Sequence, residues 1–383
     1  MSKRCTKDQD RTEWKLKFHR TFAAATVLIV SAAGPSIATA ASGNHTDSGA
    51  ASDGVTSWTA PDSDRAVLDF WTPERISQAA SHPLATPTVI KEATDRAREH
   101  ALQHANGNSQ KPATASADAV APLRSRKNAA PTSPLSASIG NLSRSDLASP
   151  LGSNINIAGR LFFDIGDNKL GTCSAAVVVA NNKNSIWTAG HCLHSGKGGG
   201  FYSKFLFAPG YDETAPWGFW NVKSIIVSSA WADDGDHLWG DMGGGIVTAK
   251  SEYGNLQDWI GAYGYRFNSA SDIDGVTSLG YPTDGYNRPS SDFHNGSKPM
   301  YCHGNAVDAG NWNPFDDRLK LPCDMGHGAS GGPIVSDFQG NSQIVGTNSH
   351  RVADSSNNWT ENYMYSSSHG GNAVAVINWL NAH

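Results

Sequence analysis

An all-β fold is predicted for the C-terminal part of this chain, and two observations predict it. From about Asn154 onward, short apolar or alternating runs recur, each closed by Gly, Asn, Asp or Pro. Only one stretch in that region, at its very end, carries a helical spacing. Many short strands so punctuated argue for a sandwich or barrel rather than for βαβ units.

In order, the strand-like runs are Arg160–Ile165, Cys173–Ala180, Ser185–Ala189, Phe201–Ala208, Val222–Ser228 and Met242–Val247, then Gly275–Gly280, Pro299–Cys302, Gly332–Val335 and Gln343–Thr347. The exception is the tail, Gly371–Leu380, where Val374, Ile377 and Leu380 fall on one helical face. No internal repeat is found. Residues 154–383 carry 21 acids against 13 Lys and Arg, which argues against a nucleic-acid-binding face.

The N-terminal part reads differently. Residues 1–20 hold seven Lys and Arg and three acids, and an apolar run from Phe22 to Val30 follows, ending before Gly34-Pro35. Ala38-Thr39-Ala40 has the small-x-small pattern of a signal-peptidase site, so residues 1–40 are expected to be an export signal. The run is shorter than the roughly 20 residues a bilayer requires, so no membrane anchor is expected. Residues 41–153 are rich in Ala, Ser, Thr, Pro and Asn with few aromatics, which predicts a largely disordered, flexible prosegment. Within it, Pro87–Ala105 has the charge pattern of an exposed helix.

Five cysteines fit an exported protein. Cys5 lies in the signal, leaving Cys173, Cys192, Cys302 and Cys323. Four cysteines allow three pairings, of which the nearest-neighbour one joins Cys173 to Cys192 and Cys302 to Cys323.

Two segments carry chemistry. Thr188-Ala189-Gly190-His191-Cys192 puts a histidine at the end of an apolar strand, and Gly328-Ala329-Ser330-Gly331-Gly332-Pro333 surrounds a serine with glycines. A serine hydroxyl needs an adjacent base to act as a nucleophile, and glycines let backbone N–H groups converge on an oxyanion. A zinc site built from His191, Cys192, His194 and Cys173 fits less well than disulfides do, so no metal or cofactor is expected. The serine segment also matches the G-x-S-x-G elbow of α/β-hydrolases, but that elbow requires a following helix. Here Gly331-Gly332-Pro333 leads into Ile334-Val335, a strand-like run, and the histidine precedes the serine. A buried carboxylate should orient the histidine. Asp241, opening Asp241-Met242-Gly243-Gly244-Gly245-Ile246-Val247, is the first choice, and Asp236 the second.

These motifs resemble the chymotrypsin/trypsin-like serine proteases over residues 155–383, nearest to the bacterial secreted trypsin-like and glutamyl endopeptidases. The resemblance implies two antiparallel six-stranded barrels, about 154–255 and 256–370, followed by a C-terminal helix at about 371–381. It implies catalytic His191 and Asp241 from the first barrel and Ser330 from the second. The backbone N–H groups of Gly328 and Ser330 would form the oxyanion hole. The implied protein is a secreted, monomeric endopeptidase acting on proteins or peptides, made with a signal and a prosegment as a zymogen. A catalytically inactive binding protein on the same fold is the alternative of a different class.

Departures touch activation and specificity. Ala329 stands where animal trypsins keep the aspartate that pairs with the new N-terminus. Asp324 lies six residues before Ser330, at trypsin's cation-binding position, and basic, glutamate and small or apolar preferences all stay open. Asn348 occupies the place where glutamyl endopeptidases carry a carboxylate-binding histidine, with His350 two residues beyond.

Overall fold

The computed structural model describes residues 54–81, 84, 88–89, 114–123, 141–148, 151–269, 272–309, 318–356 and 358–383. The expected export signal lies outside these residues. So does nearly all of the expected helix over Pro87–Ala105, of which only Thr88–Val89 is described, as a strand. The described chain begins with β1 (Val55–Thr59), α1 (Asp64–Phe70), α2 (Pro73–Ser81), β2 (Thr88–Val89), β3 (Ala115–Ala117) and β4 (Leu142–Leu147). Next come β5 (Ala158–Gly166), β6 (Lys169–Val177), β7 (Ser185–Thr188), β8 (Ser203–Pro209), β9 (Trp220–Ser228), α3 (Ser229–Asp234) and β10 (Gly243–Val247). Then follow α4 (Leu256–Ile260), β11 (Gly264–Phe267), β12 (Ile273–Gly280), β13 (Met300–Asp308), β14 (Leu319–Pro322), β15 (Pro333–Ser336), β16 (Gln343–Val352), β17 (Tyr363–Ser366) and α5 (Gly371–Ala382).

Two closed antiparallel barrels result, as expected. In the first, the order β9-β10-β7-β6-β5-β8 returns to β9. In the second, β15-β12-β13-β14-β17-β16 returns to β15. All ten expected strands are present, and the C-terminal helix covers 371–382. That helix packs against β9 and β10 of the first barrel. Gly244 permits the approach, since a Cβ there would lie 2.6 Å from Ile186 O and 2.8 Å from a methyl of Leu380.

Strand alternation explains why part of 41–153 is ordered where its composition suggests flexibility. On β5, Leu161 and Phe163 enter the main core, while Phe162 points to the opposite face. There it meets Leu206, Ala208 and Tyr211 of the barrel together with Val67, Trp71 and Ala79 of α1, the α1–α2 junction and α2. A Phe burying its ring in this way gains on the order of 2 kcal/mol over leaving it in water. β1 extends the sheet at β9, β3 pairs with β11, and β4 pairs with β13. The low-complexity stretch thus supplies edge strands and a helical cover wherever it is described.

The two barrels are joined by a short polar chain in an apolar seam. Trp187 Nε1 on β7 donates to Thr347 Oγ1 on β16 at 2.8 Å, and that hydroxyl lies 2.9 Å from His369 Nε2. His369 Nδ1 is 2.9 Å from Ser367 O, a geometry that suits a neutral ring with its proton on Nδ1. Burial pushes this imidazole down to about 4. Unfolded, it returns to about 6.5. Its contribution to stability is therefore full above pH 6.5 and is lost as pH falls toward 4, about 3 kcal/mol in all. Thermal unfolding between pH 7 and 4 should show a falling midpoint, and His369→Gln should flatten that slope by about one proton.

Candidate active site

β7 is buried along its length and runs into a single turn at Gly190–Cys192 that presents His191. The Cys173–Cys192 bridge, Cα to Cα 6.1 Å, fastens this turn to β6, so the nearest-neighbour pairing holds here. Cys302 and Cys323 are likewise joined, fastening β13 to the segment that leads into Ser330. Cys173, His191 and Cys192 cluster closely, but both sulfurs are bonded to each other and offer no thiolate to a metal.

Asp241 precedes β10 and has no exposed surface. Its Oδ2 lies 2.8 Å from His191 Nδ1, and its Oδ1 accepts from the His191 backbone N–H at 2.9 Å. Ser349 Oγ on β16 donates to Oδ2 from the second barrel. His237 Nδ1 stands 3.9 Å from the same oxygen. The Asp241 backbone N–H donates to Ser367 Oγ at 3.2 Å. Burial alone pushes this carboxyl up, but the facing His191 and its hydrogen bonds, with His237 behind them, hold it well below the usual carboxylate range. An ionised Asp241 can only accept, so the facing His191 Nδ1 is the N–H donor of this pair. That Nε2 is buried and has no hydrogen-bond partner among the described residues.

The Ser330 loop is built against this turn. Gly328 and Gly331 have φ of +89° and +80°, the left-handed region that glycine adopts without strain. A Cβ on Gly331 would lie 2.0 Å from Thr188 Oγ1 and 3.1 Å from the Ala189 nitrogen, two residues before His191. Ser174 on β6 ties the loop twice, donating from its N–H to Ser330 O at 2.7 Å and from its Oγ to Gly328 O at 2.8 Å. Thr188 Oγ1 donates to Ser174 O at 2.8 Å and closes the link to β7. The amides of Ala329, Gly331 and Gly332 donate to Gly326, Asn348 and Ala329 carbonyls. The Gly328 amide donates to no partner among the described residues. The structure therefore brings His191, Asp241 and the Ser330 loop together.

All three specificity candidates are buried. Asp324 is buried, its Oδ1 accepting from Ser145 N–H at 2.7 Å and its Oδ2 facing Arg288 Nη1 at 3.2 Å. The Arg288 guanidinium thus partners this carboxylate from within the protein. Asn348 is buried behind the loop, accepting from Ser278 Oγ at 2.7 Å and donating to Leu279 O at 3.0 Å and Ala329 O at 3.2 Å. His350 is also buried: Arg318 Nη1 meets its Nε2 at 3.1 Å, and Nδ1 lies 2.9 Å from Ser349 Oγ. Burial, together with the Arg318 cation, pushes it well below the ordinary histidine value, so it is neutral. Asp236, second choice for the carboxylate, instead caps a local turn through Leu238 N–H at 2.8 Å. Ser349, Ser174 and His237 were not singled out from sequence, since a lone serine or histidine in a strand or loop carries no local signal.

Removing Arg288 should leave Asp324 buried with only the Ser145 N–H. Arg288→Ala is expected to destabilise the fold by about 3 kcal/mol, read by urea denaturation. Its relative rates on Arg, Lys and Glu peptides should stay as in the wild type.

No protein-family model and no curated protein sequence matches the chain. Solved structures do. Protease Anisep from Arthrobacter nicotinovorans is 29% identical, with a TM-score of 0.52, over 60% of this chain and 97% of its own. The thermostable serine protease AL20 from an extremophilic microorganism is 28% identical, with a TM-score of 0.51, over 60% of this chain and 99% of its own. With two closed six-stranded barrels and these neighbours, the chain has the chymotrypsin-like serine protease fold and fits the trypsin-like family.

Proposed function

We propose that this protein is a secreted serine endopeptidase that hydrolyses peptide bonds through an acyl-enzyme. The observation that carries the reading is the orientation of His191. Its Nδ1 is held on a buried, ionised Asp241, which leaves Nε2 as an unpaired acceptor in a turn packed against the Ser330 loop.

In this mechanism Ser330 Oγ attacks the peptide carbonyl while His191 Nε2 takes its proton. The Gly328 and Ser330 amides stabilise the oxyanion. His191 then protonates the leaving amine, and a water molecule, activated by the same imidazole, hydrolyses the ester. Asp241 stays ionised throughout and stabilises the imidazolium. No metal or other cofactor is needed for any step. Two disulfides, and the absence of a membrane-spanning helix among the described residues, fit an extracellular protein.

Ser330→Ala should abolish hydrolysis of a peptide substrate, with an unchanged far-ultraviolet spectrum and melting temperature. Full activity in that variant overturns the reading. Asp241→Asn should keep the fold but lower kcat by on the order of 10⁴, because an amide at this place favours the wrong imidazole tautomer. A steady-state assay at pH 8 measures it.

A further inference from the structure

The segment after β12 runs alongside the residues that lead into Ser330. Thr283 donates twice to His327 O, from its N–H at 2.8 Å and from its Oγ1 at 3.2 Å. Asp284 holds the rest of the same residue: its Oδ1 accepts from His327 N–H at 2.7 Å, and its Oδ2 lies 2.6 Å from His327 Nδ1. Its backbone O also accepts from Gly326 N–H at 2.9 Å. Gly326 leaves room for this grip, since a Cβ there would lie 2.3 Å from Asp284 Oδ1 and 2.3 Å from the Trp359 ring. Trp359 also packs on the imidazole, ring centres 5.2 Å apart. A second imidazole and carboxylate thus meet one residue from the Gly328 amide.

A trans peptide is planar, with its C=O and the following N–H pointing in opposite directions. Holding His327 O on Thr283 therefore turns the Gly328 N–H away from Thr283. The next carbonyl is fixed as well, because Ser174 Oγ donates to Gly328 O at 2.8 Å while accepting from Tyr281 N–H at 2.9 Å. Gly328 itself has a φ of +89° and no Cβ to oppose rotation, so its amide direction has to be set by neighbours.

We propose that Thr283 and Asp284 are positioning residues for the Ser330 chemistry. By gripping His327 at its carbonyl, amide and ring, they set the plane of the His327–Gly328 peptide and hold the Gly328 N–H where the oxyanion develops. This rests on the peptidase reading and identifies what keeps one of its two oxyanion donors in place. Losing one such donor costs about 10²–10³ in kcat. A loosened grip costs less, in proportion to the fraction of molecules whose peptide has rotated.

The test is steady-state hydrolysis of a peptide anilide by the mature enzyme. Asp284→Ala should lower kcat by about tenfold with KM nearly unchanged. Affinity for a peptide boronate, whose Ser330 adduct places an oxygen on the same donor, should fall by a matching factor, while the product peptide binds as before. Asp284→Asn, which keeps an acceptor for His327 N–H, should recover most of the rate. If Asp284→Ala does not fold, Thr283→Val, which removes only the Oγ1 bond, should lower kcat by about threefold and Thr283→Ser should restore it. An active wild type whose Asp284→Ala and Thr283→Val variants keep its kcat overturns the proposal and leaves the peptidase reading standing. So does a fall in kcat with boronate affinity retained. A wild type that neither hydrolyses peptides nor reacts with a fluorophosphonate defeats the peptidase reading, and the proposal with it.

Discussion

A carboxylate with no exposed surface is tolerated only if its charge is met on every side, and Asp241 sets that demand at the centre of this molecule. The His191 ring and backbone meet it from the end of β7, Ser349 meets it from β16, and His237 stands behind. The donors come from both barrels, so the carboxylate is satisfied only when the barrels are correctly docked. Arg318, His350 and Ser349 line up as successive donors toward it, each orienting the next. A neutral His350 suits this chain, because its Nδ1–H can point at Ser349 while its Nε2 accepts from Arg318. Orientation of His191 is thus a property of the inter-barrel seam rather than of one loop.

The nucleophile loop depends on the same seam in a different way. Gly331 is needed because Thr188 Oγ1 and Ser174 O of the first barrel occupy the space its side chain would fill, and Gly332 because Leu279 O does so from the second barrel. Ser174 reads the loop through two hydrogen bonds to its carbonyls, leaving the Gly328 amide directed elsewhere. Asn348 supports the loop from the far side by holding Ala329 O. Rigidity there is catalytically useful, since preorganised donors need not reorganise as charge develops on an oxyanion.

Much of this was legible in the sequence, and the reasons divide cleanly. The ten strands follow from alternation and turn residues, and His191 and Ser330 from motifs whose glycines have a steric purpose. Asp241 followed from the small residues after it, which the structure explains through the close approach of Ile186 and Leu380 at Gly244. Ser349 and Ser174 were invisible because their roles exist only across the seam. The cover over the first barrel was half-visible. In Leu161-Phe162-Phe163, adjacent aromatics must point to opposite faces of a strand, so one of them required burial outside the barrel. A composition-based reading of 41–153 overlooks that demand, because a few residues such as Val67 and Trp71 suffice to meet it.

A second buried carboxylate ties the chain before residue 154 to the second barrel. Asp324 is buried, with Arg288 Nη1 on one oxygen and the Ser145 N–H on the other. Arg288 in turn also donates to Ser145 O at 2.6 Å and engages Asp292 at 2.9 Å. Ser145 belongs to β4, which pairs with β13 of the second barrel. A chain starting at residue 154 would lose β4 and leave one oxygen of a buried carboxylate unmet, a cost of about 1–3 kcal/mol. β4 is therefore part of the working body of the second barrel, and a boundary upstream of residue 141 preserves it. Asp324, at the position the resemblance gives to a cation pocket, also anchors this strand through the Ser145 N–H.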